Sequence, residues 1–387
     1  MIRTITAHTT EIDDVESAVK EMQSQLQSGG PLNKNTVGII ACHYEFVLSG
    51  VVKALQESLP FAVLGAITSA QAVATESGAL MLTLMVLTSD DAEFVTAMTA
   101  PLRGQSGNII ANTYTDATSA KNEKPALILA YAPFMLENSG DEYVSVLTRV
   151  SNGAPCFGTL AVDDTADFSN CFMIYNGEHY NDRMALLMIF GDIKPKFFIA
   201  TISSDKIIGK SALVTKSEGH VLMEVNDRPV VEYFENLGLT KASETAYAMT
   251  SLPFMLDYGD GTPWVSKVFI GLSPEKHAIC AGAMPEGATL YIGVFDKNDV
   301  LLTSEDAAKK ALGDIAEASG LLIYSCISRG MSLGADQLME LDMIKEKVSD
   351  SLPFMMAYSG GELCPTQISE EKAINRFHNN AFIACVF

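Results

Sequence analysis

The chain alternates short apolar runs with amphipathic stretches, and the alternation has a period. Val37 to Cys42, Ala126 to Tyr131, His220 to Val225 and Leu321 to Cys326 are largely apolar runs of strand length, as expected for strands covered on both faces. Helical segments follow such runs at Phe46 to Glu57, Gly140 to Val150 and Ala335 to Val348. In the last of these, Leu338, Leu341, Met343 and Ile344 fall at helical spacing.

One phrase punctuates the chain. Ser58-Leu59-Pro60-Phe61 returns as Ser251-Leu252-Pro253-Phe254 and as Ser351-Leu352-Pro353-Phe354, with a weaker relative at Gly153-Ala154-Pro155-Cys156-Phe157. The prolines lie 155 − 60 = 95, 253 − 155 = 98 and 353 − 253 = 100 residues apart, which marks a duplicated architecture. The residue before proline avoids the α region, so each phrase ends a helix and a strand follows. Loops are expected at Gly65 to Ala70, Gly158 to Asp164, Tyr258 to Gly261 and Tyr358 to Glu362. Closing strands are expected at Ala79 to Leu87, Cys171 to Tyr175 with Met184 to Phe190, Thr289 to Phe295 and Ala381 to Phe387.

The pattern predicts an α/β chain of mixed α+β character: two similar domains with mixed β-sheets flanked by helices, built from about four strand–helix–strand–loop–strand units. Strand–helix–strand order favours parallel pairing, and the closing strands favour hairpins. The division falls near residues 215 to 225, giving domains 1–220 and 221–387.

Charge narrows the function. With 26 Lys and Arg against 47 Asp and Glu, the net charge of −21 disfavours nucleic acid, whose phosphates demand cations, and anionic membrane surfaces. Gly78 to Leu87, the longest apolar stretch, is too short to span a bilayer. The start, Met1 to Asp14, has no apolar signal core. The seven cysteines stand singly with no C-x-x-C pair, so neither a disulfide framework nor a zinc ribbon is expected, and the chain reads as cytoplasmic. No phosphate-loop, dinucleotide, metalloprotease or nucleophile-elbow motif is present. The histidines lie far apart in sequence, so neither a cofactor nor a metal is expected.

A collinear set of phrases resembles the FIST family. Leu321 to Arg329, then Leu352-Pro353-Phe354-Met355-Met356-Ala357-Tyr358-Ser359-Gly360-Gly361-Glu362, then Phe377-His378-Asn379-Asn380 are similar to its C-terminal domain. Leu213 to His220 and Val225 to Tyr233 continue the likeness upstream. Leu64 to Ala70 and Phe157 to Asp164 are similar to phrases of the N-terminal domain. The sequence departs from the family at Ser328 (for glycine), at Asn380-Ala381, at Gly65-Ala66 (no cysteine), at Gln71 (for an acid) and at Lys267 (for a frequent arginine).

The resemblance implies paired N- and C-terminal sensory domains that bind small ligands, such as amino acids or their relatives. It implies signal transduction, here through a separate signalling protein. Arg329, expected to end a buried strand, would clamp a ligand carboxylate, or pair internally with Glu362 or Glu340. Glu362, after two glycines, would receive an ammonium group. His378, Asn379, Gly361, Tyr358 and Cys326 complete the C-terminal side, with Gly158, Asp163 and Asp164 from the other half. Asp163 and Asp164 also fit a simple turn. No residue is assigned as catalytic, and a binding protein is expected rather than an enzyme. The alternatives are a hydrolase or transferase using Cys326 with His378 as base, and a protein-interaction scaffold.

Overall fold

The computed structural model describes all residues except 1, 136–138, 166–167, 240–251, 314, 316–317, 349–351 and 370–371. Ser251 and Ser351 of the proline phrases lie outside the described residues.

The elements repeat one order three times. The first repeat runs β1 (Arg3–Thr9), α1 (Val15–Ser28), β2 (Asn35–Cys42), α2 (Glu45–Leu48) with α3 (Val51–Ser58), β3 (Val63–Ile67), a hairpin of β4 (Gln71–Val73) and β5 (Glu76–Gly78), and β6 (Leu82–Ser89). The second runs β7 (Glu93–Met98), α4 (Ser106–Thr118), β8 (Leu127–Pro133), α5 (Gly140–Val150), β9 (Cys156–Ala161), the hairpin β10 (Met173–Tyr175) and β11 (Glu178–Tyr180), and β12 (Ala185–Phe190). The third opens with β13 (Lys196–Ala200) and is then interrupted. The interruption holds β14 (Ile207–Glu218), β15 (Val221–Val225), β16 (Arg228–Pro229), α6 (Val230–Asn236), β17 (Phe254–Asp257), β18 (Val265–Lys267), β19 (Phe269–Leu272), β20 (Ala278–Cys280) and β21 (Thr289–Gly293). The third repeat then resumes with α7 (Lys297–Leu312), β22 (Leu321–Cys326), α8 (Ile327–Leu333), α9 (Met339–Val348), β23 (Phe354–Ser359), the hairpin β24 (Glu362–Ile368) and β25 (Ala373–His378), and β26 (Phe382–Val386).

Each repeat builds a six-stranded sheet, and each sheet is completed by a hairpin from another repeat. The orders are β1-β6-β2-β3-β10-β11, β7-β12-β8-β9-β24-β25 and β13-β26-β22-β23-β4-β5. In all three, the two strands flanking the second helical segment pair in parallel and every other neighbour is antiparallel. The first repeat thus lends its hairpin to the third, the third to the second, and the second to the first. Strands cross residue 220 in both directions, so only the first of the three sheets lies wholly on one side of that line.

The parallel pairing expected from strand–helix–strand order is present in all three repeats. The closing strands β6, β12 and β26 differ from the expected hairpins: each pairs with the first strand of its unit, β2, β8 or β22, on the side away from the parallel partner. The unit carrying the proline phrase at Pro253 also differs. Its β15 pairs with β14, β16 and β20, while β17 pairs with β18 and β21.

Three expected loops begin inside strands, the third at Tyr358 of β23. Gly65 belongs to β3 and Gly158 to β9. A Cβ on Gly65 would fall 1.8 Å from the carbonyl oxygen of Ile40, and one on Gly158 would fall 2.0 Å from that of Ala130. These glycines let parallel strands approach closely rather than turn the chain. The alternating faces of the sheets merge into one large core in which Tyr131, Phe157 and Tyr324 are fully or almost fully buried; the Tyr131 and Tyr324 hydroxyls are 3.2 Å apart.

Candidate functional site

The segments after the second parallel strands meet in a ring. The Val162 N–H donates to Ile67 O, Gly360 N–H to Leu160 O, Leu160 N–H to Gly361 O, and Tyr358 N–H to Ala70 O. Thr68 Oγ1 donates to Tyr358 O at 2.8 Å. This stitching brings the turn Gly360–Gly361, the end of β22 and the turn Asn379–Ala381 together at one end of the third repeat. Gly361 has φ +149°, and a Cβ there would lie 2.3 Å from the Phe377 ring and 3.1 Å from Asn379 Nδ2, so the turn requires glycine.

Glu362 opens β24. It is fully buried and lies directly across from Thr159 on one side and His378 on the other. Neither of its carboxyl oxygens has a hydrogen-bond partner. Burial pushes its pKa well above the usual carboxylate range; Ser359, the Cys326 thiol, the Ala381 backbone and Arg329 lie near enough to moderate that rise. The carboxyl therefore holds its proton well above the pH at which an exposed one would lose it.

The neighbours share the same condition. Asn379 is 1% exposed; its backbone N–H donates to Ser266 O at 2.9 Å, but its side-chain oxygen and nitrogen are both unpartnered. Asn380 receives a bond from Ser328 Oγ at 3.1 Å and leaves Nδ2 unpartnered. His378 Nε2 lies 3.3 Å from Cys364 O and Nδ1 is unpartnered. A carbonyl can only accept, so Nε2 carries the hydrogen and Nδ1 presents a lone pair. Burial, then the positive charges of Lys267 and Arg376, drive the His378 pKa down to about 3. Ser266 Oγ is also buried and unpartnered.

Arg329 lies elsewhere than expected. The strand ends at Cys326, and Arg329 sits in α8 with its side chain fully buried. Its Nε donates to Glu340 at 3.0 Å. Its Nη2 donates to Val300 O at 2.9 Å, to Thr303 Oγ1 at 3.0 Å and to Ser304 Oγ at 2.6 Å. The Phe295 ring covers it at 5.2 Å, and Nη1 has no partner. Glu340 is held further by Ser304 and Ser325. The internal ion pair with Glu340 is therefore the alternative that the geometry realises.

Tyr358 donates its hydroxyl to Gln337 O at 2.8 Å. Cys326 accepts from Ser328 Oγ at 3.2 Å, and burial, with Glu362 nearby, pushes the thiol pKa up to about 12. Such a thiol is not a nucleophile at neutral pH, and His378 is engaged with Cys364 instead.

The three residues from the other half are dispersed. Gly158 pairs with Leu363 in the sheet. Asp163 is buried and holds its own loop, accepting from Thr165 and from the Asn170 N–H. Asp164 is half exposed and lies 3.3 Å from His43 Nε2, at the seam between the first and second repeats.

Nothing local in the sequence signals Ser266 or the clasp beside it. Lys267 is completely buried, donates to both oxygens of Asp141 at 2.8 and 2.9 Å and to Phe377 O at 2.7 Å, and so fastens the interrupting unit to α5 and β25. Its partners are 126 and 110 residues away, and no local spacing signals them. Among the described residues, no group of three or more His, Cys, Asp or Glu gathers to hold a metal.

The FIST N domain matches residues 36–228 and the FIST C domain matches residues 230–365. The chain belongs to the FIST family. FIST domains are sensory, signal-transduction domains that bind small ligands. No curated protein matches this chain. Among solved structures, cyanuric acid hydrolase from A. caulinodans is similar at 10% identity over 100% of this chain and 99% of that one, with a TM-score of 0.34. PurLQS from Thermotoga maritima is similar at 9% identity over 100% of this chain and 72% of that one, with a TM-score of 0.22. At such scores neither likeness carries an argument. No helix among the described residues is long and apolar enough to cross a membrane.

Proposed function

We propose that this FIST protein is a cytoplasmic sensor. It binds a small ligand of the amino-acid kind at the turn cluster of the third repeat and reports occupancy to a separate signalling protein. The observation that supports the reading is the set of buried, unpartnered polar atoms on Glu362, Asn379 and His378. A buried polar group without a partner costs about 1–3 kcal/mol, and native proteins leave few of them. A small polar molecule seated among them would remove that cost.

In this reading Glu362, Asn379 and His378 contact the ligand, and Gly361 keeps the approach to Asn379 open. Cys326 is a wall. Arg329 and Tyr358 hold α8 and α9 behind the site, and Gly158 sets the close strand spacing beneath it. Asp163 holds its own loop, and Asp164 serves the seam between repeats. In this reading the site is shared by domains 1–220 and 221–387, since Glu362 pairs with Thr159, and occupancy has a route to both.

A thermal-shift series with amino acids and their close relatives tests the reading. A ligand at about 100-fold its Kd should stabilise the protein by about 2.7 kcal/mol, and Asn379→Ala should lose the response. A well-folded sample that responds to none of these compounds overturns it.

A further inference from the structure

The cluster has an unbalanced charge and hydrogen-bond inventory. Its two buried cations are already matched: Arg329 by Glu340 at 3.0 Å and Lys267 by Asp141 at 2.8 Å. Glu362, equally buried, faces no ion-pair partner among the described residues. The unpartnered groups able to accept are both Glu362 oxygens once its proton has left, His378 Nδ1, Asn379 Oδ1 and the Ser266 hydroxyl, which can also donate. The unpartnered nitrogen donors are the Asn379 and Asn380 amides and Arg329 Nη1, and Arg329 is enclosed by α7, α9 and Phe295. A ligand that completes this set supplies hydrogens and one positive charge. The surrounding field agrees, because a chain of net charge −21 concentrates cations near its surface and repels anions.

We propose that the ligand is recognised by a protonated amine seated on Glu362, with Asn379 and His378 Nδ1 as the further acceptors, and that a ligand carboxylate is not required. This rests on the sensor reading above and deepens it by naming the group that is read. An ammonium offers three donors, and an ion pair formed away from water is worth more than an exposed one only when its remaining hydrogens are also satisfied, which the two neighbours provide. The proton that Glu362 holds in the empty protein leaves to solvent as the ammonium takes its place, so charge is conserved in the site.

The test is isothermal titration at pH 7.5 with matched probes. Glycinamide and methylammonium carry the amine without a carboxylate, and N-acetylglycine and acetate carry the carboxylate without the amine. The proposal expects binding of the first pair only, a loss of at least tenfold in affinity in Glu362→Gln, and a parallel loss in Asn379→Ala. Glu362→Gln keeps the shape of the protonated side chain, and circular dichroism of the variant checks its fold. Binding of N-acetylglycine or acetate in place of the amines, or amine binding unchanged in Glu362→Gln, overturns the amine assignment and leaves the sensor reading standing. Binding of neither pair, together with no thermal response to whole amino acids, overturns both.

Discussion

Gln71 and Glu362 stand at the same place in two copies of one hairpin. Gln71 opens β4 opposite Ala357 of β23, and Glu362 opens β24 opposite Thr159 of β9. Both side chains are fully buried, but only Gln71 is satisfied, donating to Met81 O and accepting from Thr83 Oγ1. The first repeat closes this position with an internal pair and the third leaves it open. Gln71→Glu should therefore destabilise the fold by about 2–4 kcal/mol at neutral pH, since a carboxylate would face the Met81 carbonyl. Glu362→Gln should change stability by less than about 1 kcal/mol. Urea midpoints of the two variants check the contrast.

Arg329 and Glu340 should behave as a coupled unit. Removing one partner leaves a buried charge alone, so Arg329→Met is expected to cost about 3–5 kcal/mol. Replacing both, as in Arg329→Met with Glu340→Gln, should recover part of that loss because no lone charge remains. A double-mutant cycle by chemical denaturation measures the coupling. Additive losses would mean that the pair does not act as drawn.

Gly65 and Gly158 should not tolerate a methyl group. Alanine at either site would place Cβ about 2 Å from a carbonyl oxygen of the parallel partner strand. The strands must part, at a cost of about 3 kcal/mol or more. Gly78, with open space around it, serves as the control and should accept alanine with a change under about 1 kcal/mol. Melting temperatures of the three alanine variants decide the point.

Two buried groups give opposite pH slopes. His378 is neutral in the folded protein with its pKa at about 3, against 6.5 when exposed. The unfolded chain therefore binds more protons, and stability is lost as pH falls from about 6.5 towards 3. Glu362 is raised, so its contribution is full below about 4.5 and is lost as pH rises towards its folded value. The charged or titratable groups around them are Cys326, Cys364, Arg329, Lys267 and Arg376, with Glu340 behind Arg329 and Asp141 behind Lys267. Between pH 6.5 and 4.5, His378→Gln should flatten the acid loss, and Glu362→Gln should flatten the loss on the alkaline side. Melting temperature against pH for the three proteins reads both slopes.

Much of this was legible in the sequence because local rules governed it. The run Leu321 to Cys326 is the strand as read, and Gly140 to Val150 is the helix as read, since apolar continuity and an N-terminal Ser139 cap act over a few residues. The proline phrase found the three repeats at Pro60, Pro155 and Pro353, but Pro253 carries the same phrase in the interrupting unit, which is no repeat. The phrase did not find the hairpin exchange, because pairing Glu362 with Thr159 joins residues far apart by long-range packing. Gly158 was legible as a residue needing freedom but not as a contact glycine, because a turn and a close approach demand the same residue. Arg329 was legible as a buried cation needing a partner. That the partner is Glu340 rather than Glu362 depends on how α8 bends after Cys326, which no spacing in the chain announces.

The most direct measurement is a crystal structure of the protein soaked with glycinamide, read at the Glu362 carboxyl. Ordered density is expected within hydrogen-bond distance of Glu362, Asn379 and His378 Nδ1, with the Arg329–Glu340 pair unmoved. A structure in which those atoms pair with one another or with fixed waters, while glycinamide occupies another place, would contradict it.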